Sequence, residues 1–507
     1  MRALPSDALD RSAYGLRVGS VPPIVAIQVY CPALNPPAAV GFMSRPLTAT
    51  LTEGSVAGQL RTLAIPMVWG LLATMSFNVV DTFYVAQLGN QPLAAMSFTF
   101  PIVMIITSLG IGLGAGSSSA ISRAIGEGNA SYARRLATDA ISLTFLVSAS
   151  MCLLGWLLMD PLFSLLGATP DLLPLIRDYM SIWFISAPFL MVPMVCLSAL
   201  RALGMSHIQG YLMSAAALFN AALDPLLIFG LWGFPALELQ GAALATLVTR
   251  LLTFLVAFYI LAIRVRLLTY PWVAWQALMR SWKTIVHVGV PAMATNVIVP
   301  LASAVVTVMV ARYGTDAVAG LGVAMRIEPL MLIVFYALSG VIGPFFGQNF
   351  GAGQHHRLNE AVKVLSLFCL GFGLLIAVFL WLFGGLLASL FSEHAEVLRV
   401  AAFYLAVVPF SYGAYGIVMS VNAAFNGLGR PLPAMALSAG RVVYVFLPLA
   451  FLGQWIWGLE GIFMATALAN CLVGLWAWEW LRRYVQQVRA EGGRRALVSV
   501  EAGHDPH

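Results

Sequence analysis

Asp81, Asn220, Asp224 and Thr246 are polar residues inside long apolar runs. An ionised carboxylate in a membrane helix costs several kcal/mol unless it meets water or a partner, so acids placed there are functional by default. Asn220 and Asp224 are four residues apart, which puts both side chains on one helix face. Pro225 follows directly; it has no N–H to donate and frees the carbonyl of Ala221 beside the carboxylate. Amide, carboxylate and free carbonyl are the hard oxygen ligands suited to a sodium ion or a carried proton. Leu226-Leu227-Ile228-Phe229 continues the run, so Asp224-Pro225 does not read as a helix end.

The elements that must position these residues follow from hydropathy. The chain of 507 residues is 60% hydrophobic and 9% charged, with a mean hydropathy of +0.88. A soluble domain carries about a quarter charged residues, so lipid must be the solvent for much of this one. About 20 residues cross the hydrocarbon layer. Twelve runs fit, near 60–87, 93–122, 136–159, 176–202, 207–232, 240–263, 285–311, 317–346, 361–387, 398–426, 432–456 and 459–483. The expected fold is therefore an all-α membrane protein of twelve transmembrane helices.

The runs divide into two copies. Pro66 and Pro291, Gly89 and Gly314, Gly126 and Gly351, Gly204 and Gly429 are each 225 residues apart. Gly241…Ala245-Thr246 returns as Gly461…Ala465-Thr466 at 220. Six crossings per copy is an even number, so two six-helix lobes share one orientation about a pseudo-two-fold axis along the membrane normal. The expected divisions are a disordered extension at 1–58, an N-lobe at 59–268, an interlobe linker at 269–284, a C-lobe at 285–484 and a tail at 485–507. Pro22, Pro23, Pro32, Pro36 and Pro37 interrupt the only apolar part of the extension, which makes it a poor helix and a poor signal peptide, with Met43 as an alternative start.

Arginine and lysine orient the chain. Arg123, Arg134, Arg135, Arg201, Arg264, Arg266, Arg280, Lys283, Arg357, Lys363 and Arg430 lie in or near alternate breaks. The opposite breaks hold mainly acids, with Arg177, Arg312 and Arg399 among them. Positive loops stay inside, so both termini are expected in the cytoplasm. Helices 1 and 5 then run outward, and Asp81 and Asp224 lie roughly 28 and 25 Å from their inner starts. Thr246 lies about 9 Å from the outer start of helix 6. One outer-half layer thus holds Asp81, Asn220, Asp224 and Thr246, which could bind a proton or Na+. Two carboxylates that close repel when both are ionised, which favours cation uptake. The 225 offset lands on Val306 and Leu449, so the second copy lacks these acids.

The second copy has its own charges. Arg326, Glu328 and Arg441 read as a charge network in which Glu328 balances one of the arginines, or else as a second proton or substrate site. Arg250 lies mid-run in helix 6. Soft and aromatic side chains accept varied flat cations. Met75, Phe98, Phe100 and Met325 are candidates to line an adaptable substrate cleft, joined by Tyr412, Tyr415 and Asn422. Other chemistry is excluded. Gly110…Gly116 has no Lys-Ser/Thr after it and no strand before it, so it is not a phosphate loop. Small residues at that density instead allow close helix contact. The five cysteines lack metal-ligand spacing.

Val80-Asp81-Thr82-Phe83, Asn220…Asp224-Pro225, Gly241-Ala242-Ala243-Leu244-Ala245-Thr246 and Gly347-Gln348-Asn349-Phe350-Gly351-Ala352-Gly353 resemble motifs of the multidrug and toxic compound extrusion (MATE) family. The resemblance spans about 60–483. It implies two V-shaped lobes and drug efflux in exchange for protons or sodium, with a cation site at Asp81, Asn220, Asp224 and Thr246. Helices 7 and 10 lack mid-membrane acids, which is similar to the DNA-damage-inducible-protein-F-like branch. The expectation is a secondary antiporter, not an enzyme. It uses no cofactor beyond the coupling ion, and it acts as a monomer with the bilayer and small amphipathic or cationic substrates as partners and no nucleic acid. Two alternatives remain: a flippase of lipid-linked precursors from the wider superfamily, and a membrane-embedded lipid-modifying enzyme. The first would prefer a strongly cationic cleft and the second a metal-binding Asp-x-x-x-Asp loop; neither is evident.

Overall fold

The computed structural model describes residues 47–502 apart from 234 and 271–273. No β-strand occurs among the described residues. The spans are α1 (Val56–Ala86), α2 (Asn90–Gly126), α3 (Ala130–Leu157), α4 (Leu173–Ile185 with Ala187–Ala202), α5 (Ser206–Phe229), α6 (Glu238–Arg264) and α7 (Trp275–Ala311). They continue with α8 (Thr315–Met331 with Ile333–Gly351), α9 (His355–Ser389) and α10 (Ala395–Gly427). The helical stretch Pro431–Glu491 is 61 residues long, or about 92 Å, roughly three times the hydrocarbon thickness. Gly458, at φ 61° and ψ −133°, breaks it into two crossings, α11 (431–457) and α12 (459–502). The α4 pair bends by 41°. Twelve crossings result, as the hydropathy predicts.

The repeated glycines are explained by backbone geometry. Gly128 and Gly353 adopt φ 74° and 69° just past α2 and α8. Asn129 N–H then reaches back to Ala124 O, and Gln354 N–H to Asn349 O. This closes each helix with a left-handed turn that a side chain would strain. Asn129 also caps α3 through Tyr132 N–H. Both turns lie on one face, because α2 and α8 cross there: Gly126 meets Gln348, and Gly351 meets Arg123. The two copies therefore share one orientation.

The named contacts that join the lobes lie in the half toward this face, which carries Arg123, Arg201, Arg357 and Arg430 and is called the basic face below. A Cβ at Gly112 would lie 2.6 Å from Gly289 O on α7. Further along, Ser119 Oγ donates to Asn426 O and Arg123 Nη1 to Leu428 O at 3.3 Å. Adding bulk at Gly126 forces α2 off α8. Gly126→Val is expected to destabilise the protein by roughly 1–3 kcal/mol, visible as a lower Tm in detergent; an unchanged Tm would mean the crossing is not tightly packed.

On the opposite face two of the three arginines that break the charge pattern, Arg177 and Arg399, are paired. Arg177 binds Asp160 at 2.6 Å, and Arg399 binds Glu396 at 2.7 Å and Glu460 at 3.6 Å. Such pairs remove much of their weight as orienting charges.

Three boundaries differ from the sequence reading. Residues 50–52 form a helical turn ahead of α1, and Leu51 is buried, so the expected disorder of 1–58 does not describe residues 47–58; residues 1–46 lie outside the described part. Helix α7 starts at Trp275, within the expected linker, because Trp282 is tied down: its Nε1 donates to Asp139 O at 3.0 Å and Ser142 Oγ at 3.3 Å. The tail continues α12 as helix to Ala502.

Residues 47–55 form a strap on the basic face. Leu51 N–H donates to Gln348 Oε1 at 2.9 Å, and Asn349 Nδ2 to Leu51 O at 3.0 Å. Arg357 Nη1 reaches Gly54 O at 2.7 Å and its Nη2 reaches Glu53 O at 3.2 Å. Thr50 Oγ1 donates to Leu203 O at 3.1 Å, and Gln348 Nε2 to Ala202 O at 2.6 Å. The strap thus bonds the end of α4 in one copy to α8 and α9 in the other.

Candidate functional site

Asp81 lies on α1 and Asp224 on α5, two helices packed along much of their length around Gly70 and Gly210. The close approach needs both glycines: a Cβ on Gly70 would already lie 3.0 Å from Gly210 Cα. Asp81 is 6% exposed and Asp224 0%. Asn220 Nδ2 donates to Asp224 Oδ1 at 2.7 Å, as the four-residue spacing predicts. Helix α5 runs through Pro225 to Phe229. Each acid keeps one buried oxygen, Asp81 Oδ1 and Asp224 Oδ2, without a protein hydrogen bond. The acids lie within electrostatic reach of each other. Thr246 is buried on α6 but makes no hydrogen bond to either acid among the described residues.

Two groups that the sequence reading did not assign here complete the site. Arg250, one turn beyond Thr246 on α6, lies within electrostatic reach of Asp81. Its Nη1 donates to Ser186 Oγ at 2.5 Å, and the guanidinium sits 4.8 Å above the Trp183 ring. Tyr179, on α4, is buried and lies in the electrostatic field of Asp81, Arg250 and Asp224, with no hydrogen bond to them among the described residues. The signal was available: Tyr179 and Ser186 recur at the 225 offset as Tyr404 and Ser411, and Arg250 falls on Asn470 at 220.

The C-lobe charges separate into two environments. Glu328 and Arg441 line a cavity of about 100 Å³ together with Met325, Tyr404 and Tyr415. Tyr404 donates to Glu328 Oε2 at 2.7 Å, and Arg441 Nη1 to Asn470 Oδ1 at 2.9 Å. Val306, the counterpart of Asp81, is on the same wall. Arg326 departs from the expected network: it is exposed and forms no ion pair with Glu328 among the described residues. The step of two residues from Arg326 to Glu328 turns their side chains far apart around a helix.

The expected cleft residues also separate. Phe100 is exposed, Met75 half-buried, and Phe98 packs against the N-lobe core. Met325 and Tyr415 line the C-lobe cavity. Tyr412 is corrected to a core position, 0% exposed, where α9 and α10 approach at Gly373 and Gly413. Asn422 Nδ2 ties α10 to Ser438 on α11 at 2.9 Å.

A twelve-helix, two-copy bundle with buried acids in one copy defines a membrane transporter rather than an enzyme. The MatE family model matches residues 66–226 and again 291–452, and the chain belongs to that family. It is 40% identical over 440 residues to a protein of Shewanella oneidensis named FAD transporter, covering 87% of this chain and 97% of that one. It is 26% identical to the probable multidrug resistance protein YoeA of Bacillus subtilis, over 79% and 89% of the two chains. The multidrug export protein MepA of Staphylococcus aureus is 25% identical over 81% and 90%. Among solved structures, the Vibrio cholerae MATE transporter VcmN in the bent form superposes with a TM-score of 0.81 at 34% identity, covering 87% and 99%.

Proposed function

We propose that this protein is a cation-coupled exporter of amphipathic aromatic compounds, set in a bacterial inner membrane with its basic face toward the cytoplasm. The observation that carries this reading is the acid pair. Asp81 and Asp224 are buried in one lobe, each with a free carboxylate oxygen, and the other lobe has Val306 and Leu449 at those positions. Buried carboxylates with unmet oxygens bind and release a proton or sodium ion. A lobe whose charge changes on binding shifts its balance between two packings, which is how a gradient drives alternating access.

For the substrate, relatives named for multidrug resistance and export favour varied drug-like compounds. A second reading, export of a flavin nucleotide, is favoured by the 40% identical relative named FAD transporter and by Arg326. Arg326 is eleven residues into α8, about 16 Å from its start, so it lies within the span rather than at its end. An exposed guanidinium at that depth is too costly against lipid and belongs on a wet cleft, where it suits a phosphate. Inverted vesicles under separate proton and sodium gradients test both parts. Uptake of ethidium or FAD driven by one gradient is the expected result; uptake of either compound that ignores both gradients would refute coupling.

A further inference from the structure

The two lobes share one framework around different charges. In the N-lobe, Arg250 donates to Ser186; at the matching positions of the C-lobe, Asn470 Nδ2 donates to Ser411 Oγ at 3.0 Å. Asn470 then holds Arg441, whose guanidinium lies 4.8 Å above the Tyr415 ring. Tyr404, the counterpart of Tyr179, holds Glu328. The C-lobe cavity is thus a rebuilt copy of the cation site, with one carboxylate and one guanidinium in place of two carboxylates and a guanidinium.

Glu328 and Arg441 face this cavity without forming an ion pair with each other among the described residues. Each is anchored on one side by a protein partner, which leaves carboxylate lone pairs and guanidinium N–H groups for a guest. The volume of about 100 Å³ far exceeds the ~10–15 Å³ that one water needs. Charge selects the guest. A cation would be desolvated beside Arg441 and an anion beside Glu328, so neither suits the site. A neutral planar group with a donor and an acceptor on one edge satisfies both, and Tyr404, Tyr415 and Phe446 supply aromatic walls.

We propose that this cavity is a subsite for the imide edge of a flavin ring, with the ring N–H donating to Glu328 and an adjacent carbonyl accepting from Arg441. The inference rests on the flavin reading above and assigns the ring, not the phosphates, to this cavity. Its test uses purified protein in lipid nanodiscs and two phosphate-free probes, lumiflavin and 3-methyl-lumiflavin, followed by flavin fluorescence. Methylation removes the N–H, and a hydrogen bond to a charged group is worth about tenfold or more in affinity. Wild type should therefore bind lumiflavin at least tenfold more tightly than the methylated ring. In Glu328→Gln the ratio should fall below about threefold, since an amide can turn its own N–H to the carbonyls. A ratio taken within one variant does not depend on the folded fraction. Arg441→Lys should weaken both probes and leave the ratio near the wild-type value. Equal binding of the probes by wild type, or an undiminished ratio in Glu328→Gln, would overturn the subsite while FAD movement in vesicles still stood. Failure of both probes to bind, with no FAD movement, would overturn the subsite and the flavin reading together.

Discussion

Asp81→Asn and Asp224→Asn should each reduce gradient-driven export to background, a loss of at least tenfold, while the protein still inserts and folds. The loss follows from the lack of an acid at the matching positions of the other copy, where Val306 and Leu449 stand. An amide neither releases a proton at physiological pH nor supplies the charge that neutralises a sodium ion. Insertion is preserved because removing a carboxylate from mid-membrane lowers a cost of about 2.5–3.5 kcal/mol on the insertion scale. In Asp224→Asn the side chain can still accept from Asn220 Nδ2, so local packing is kept. The measurement is substrate accumulation in cells that carry equal amounts of each variant. Normal export by both variants would place coupling elsewhere in the molecule.

A chain begun at Met43 is expected to transport like the full chain, whereas one begun at Val56 is not. The first keeps the strap and the second removes it. Without residues 47–55, Gln348 and Arg357 lose their bonds to Leu51, Glu53 and Gly54 at buried positions. Each stranded buried group costs about 1–3 kcal/mol, and a charged one more. Two such groups outweigh the gap of a few kcal/mol that separates the states of a typical two-state transporter. The basic face should then open, by a shift of a hundredfold or more in the balance. Spin labels at Ser131 and Glu360, both exposed on that face, should report a longer distance in the shortened chain, with export lost. An unchanged distance with normal export would show that the strap is ornamental.

The twelve spans, the duplication and the acid pair were legible in the sequence because each rests on a signal local to a run or repeated at a fixed offset. Hydropathy marks a crossing whatever it packs against. An acid in an apolar run is conspicuous without knowledge of its neighbours, and the Asn220–Asp224 bond followed from helical spacing alone.

Tertiary structure alone decided what those local signals meet. The strap read as disorder because its order comes from hydrogen bonds to Gln348, Asn349 and Arg357, some 300 residues away. Arg250 and Tyr179 join the acid site only because α4 and α6 pack around it. Arg326 and Glu328 are near neighbours in sequence, yet helix geometry exposes one and hands the other to Tyr404. Tyr412 and Tyr415, three residues apart, divide between core and cavity. Composition set which residues leave water; the crossing of helices set which buried polar groups share a site, because partners distant in the chain leave no mark on local periodicity.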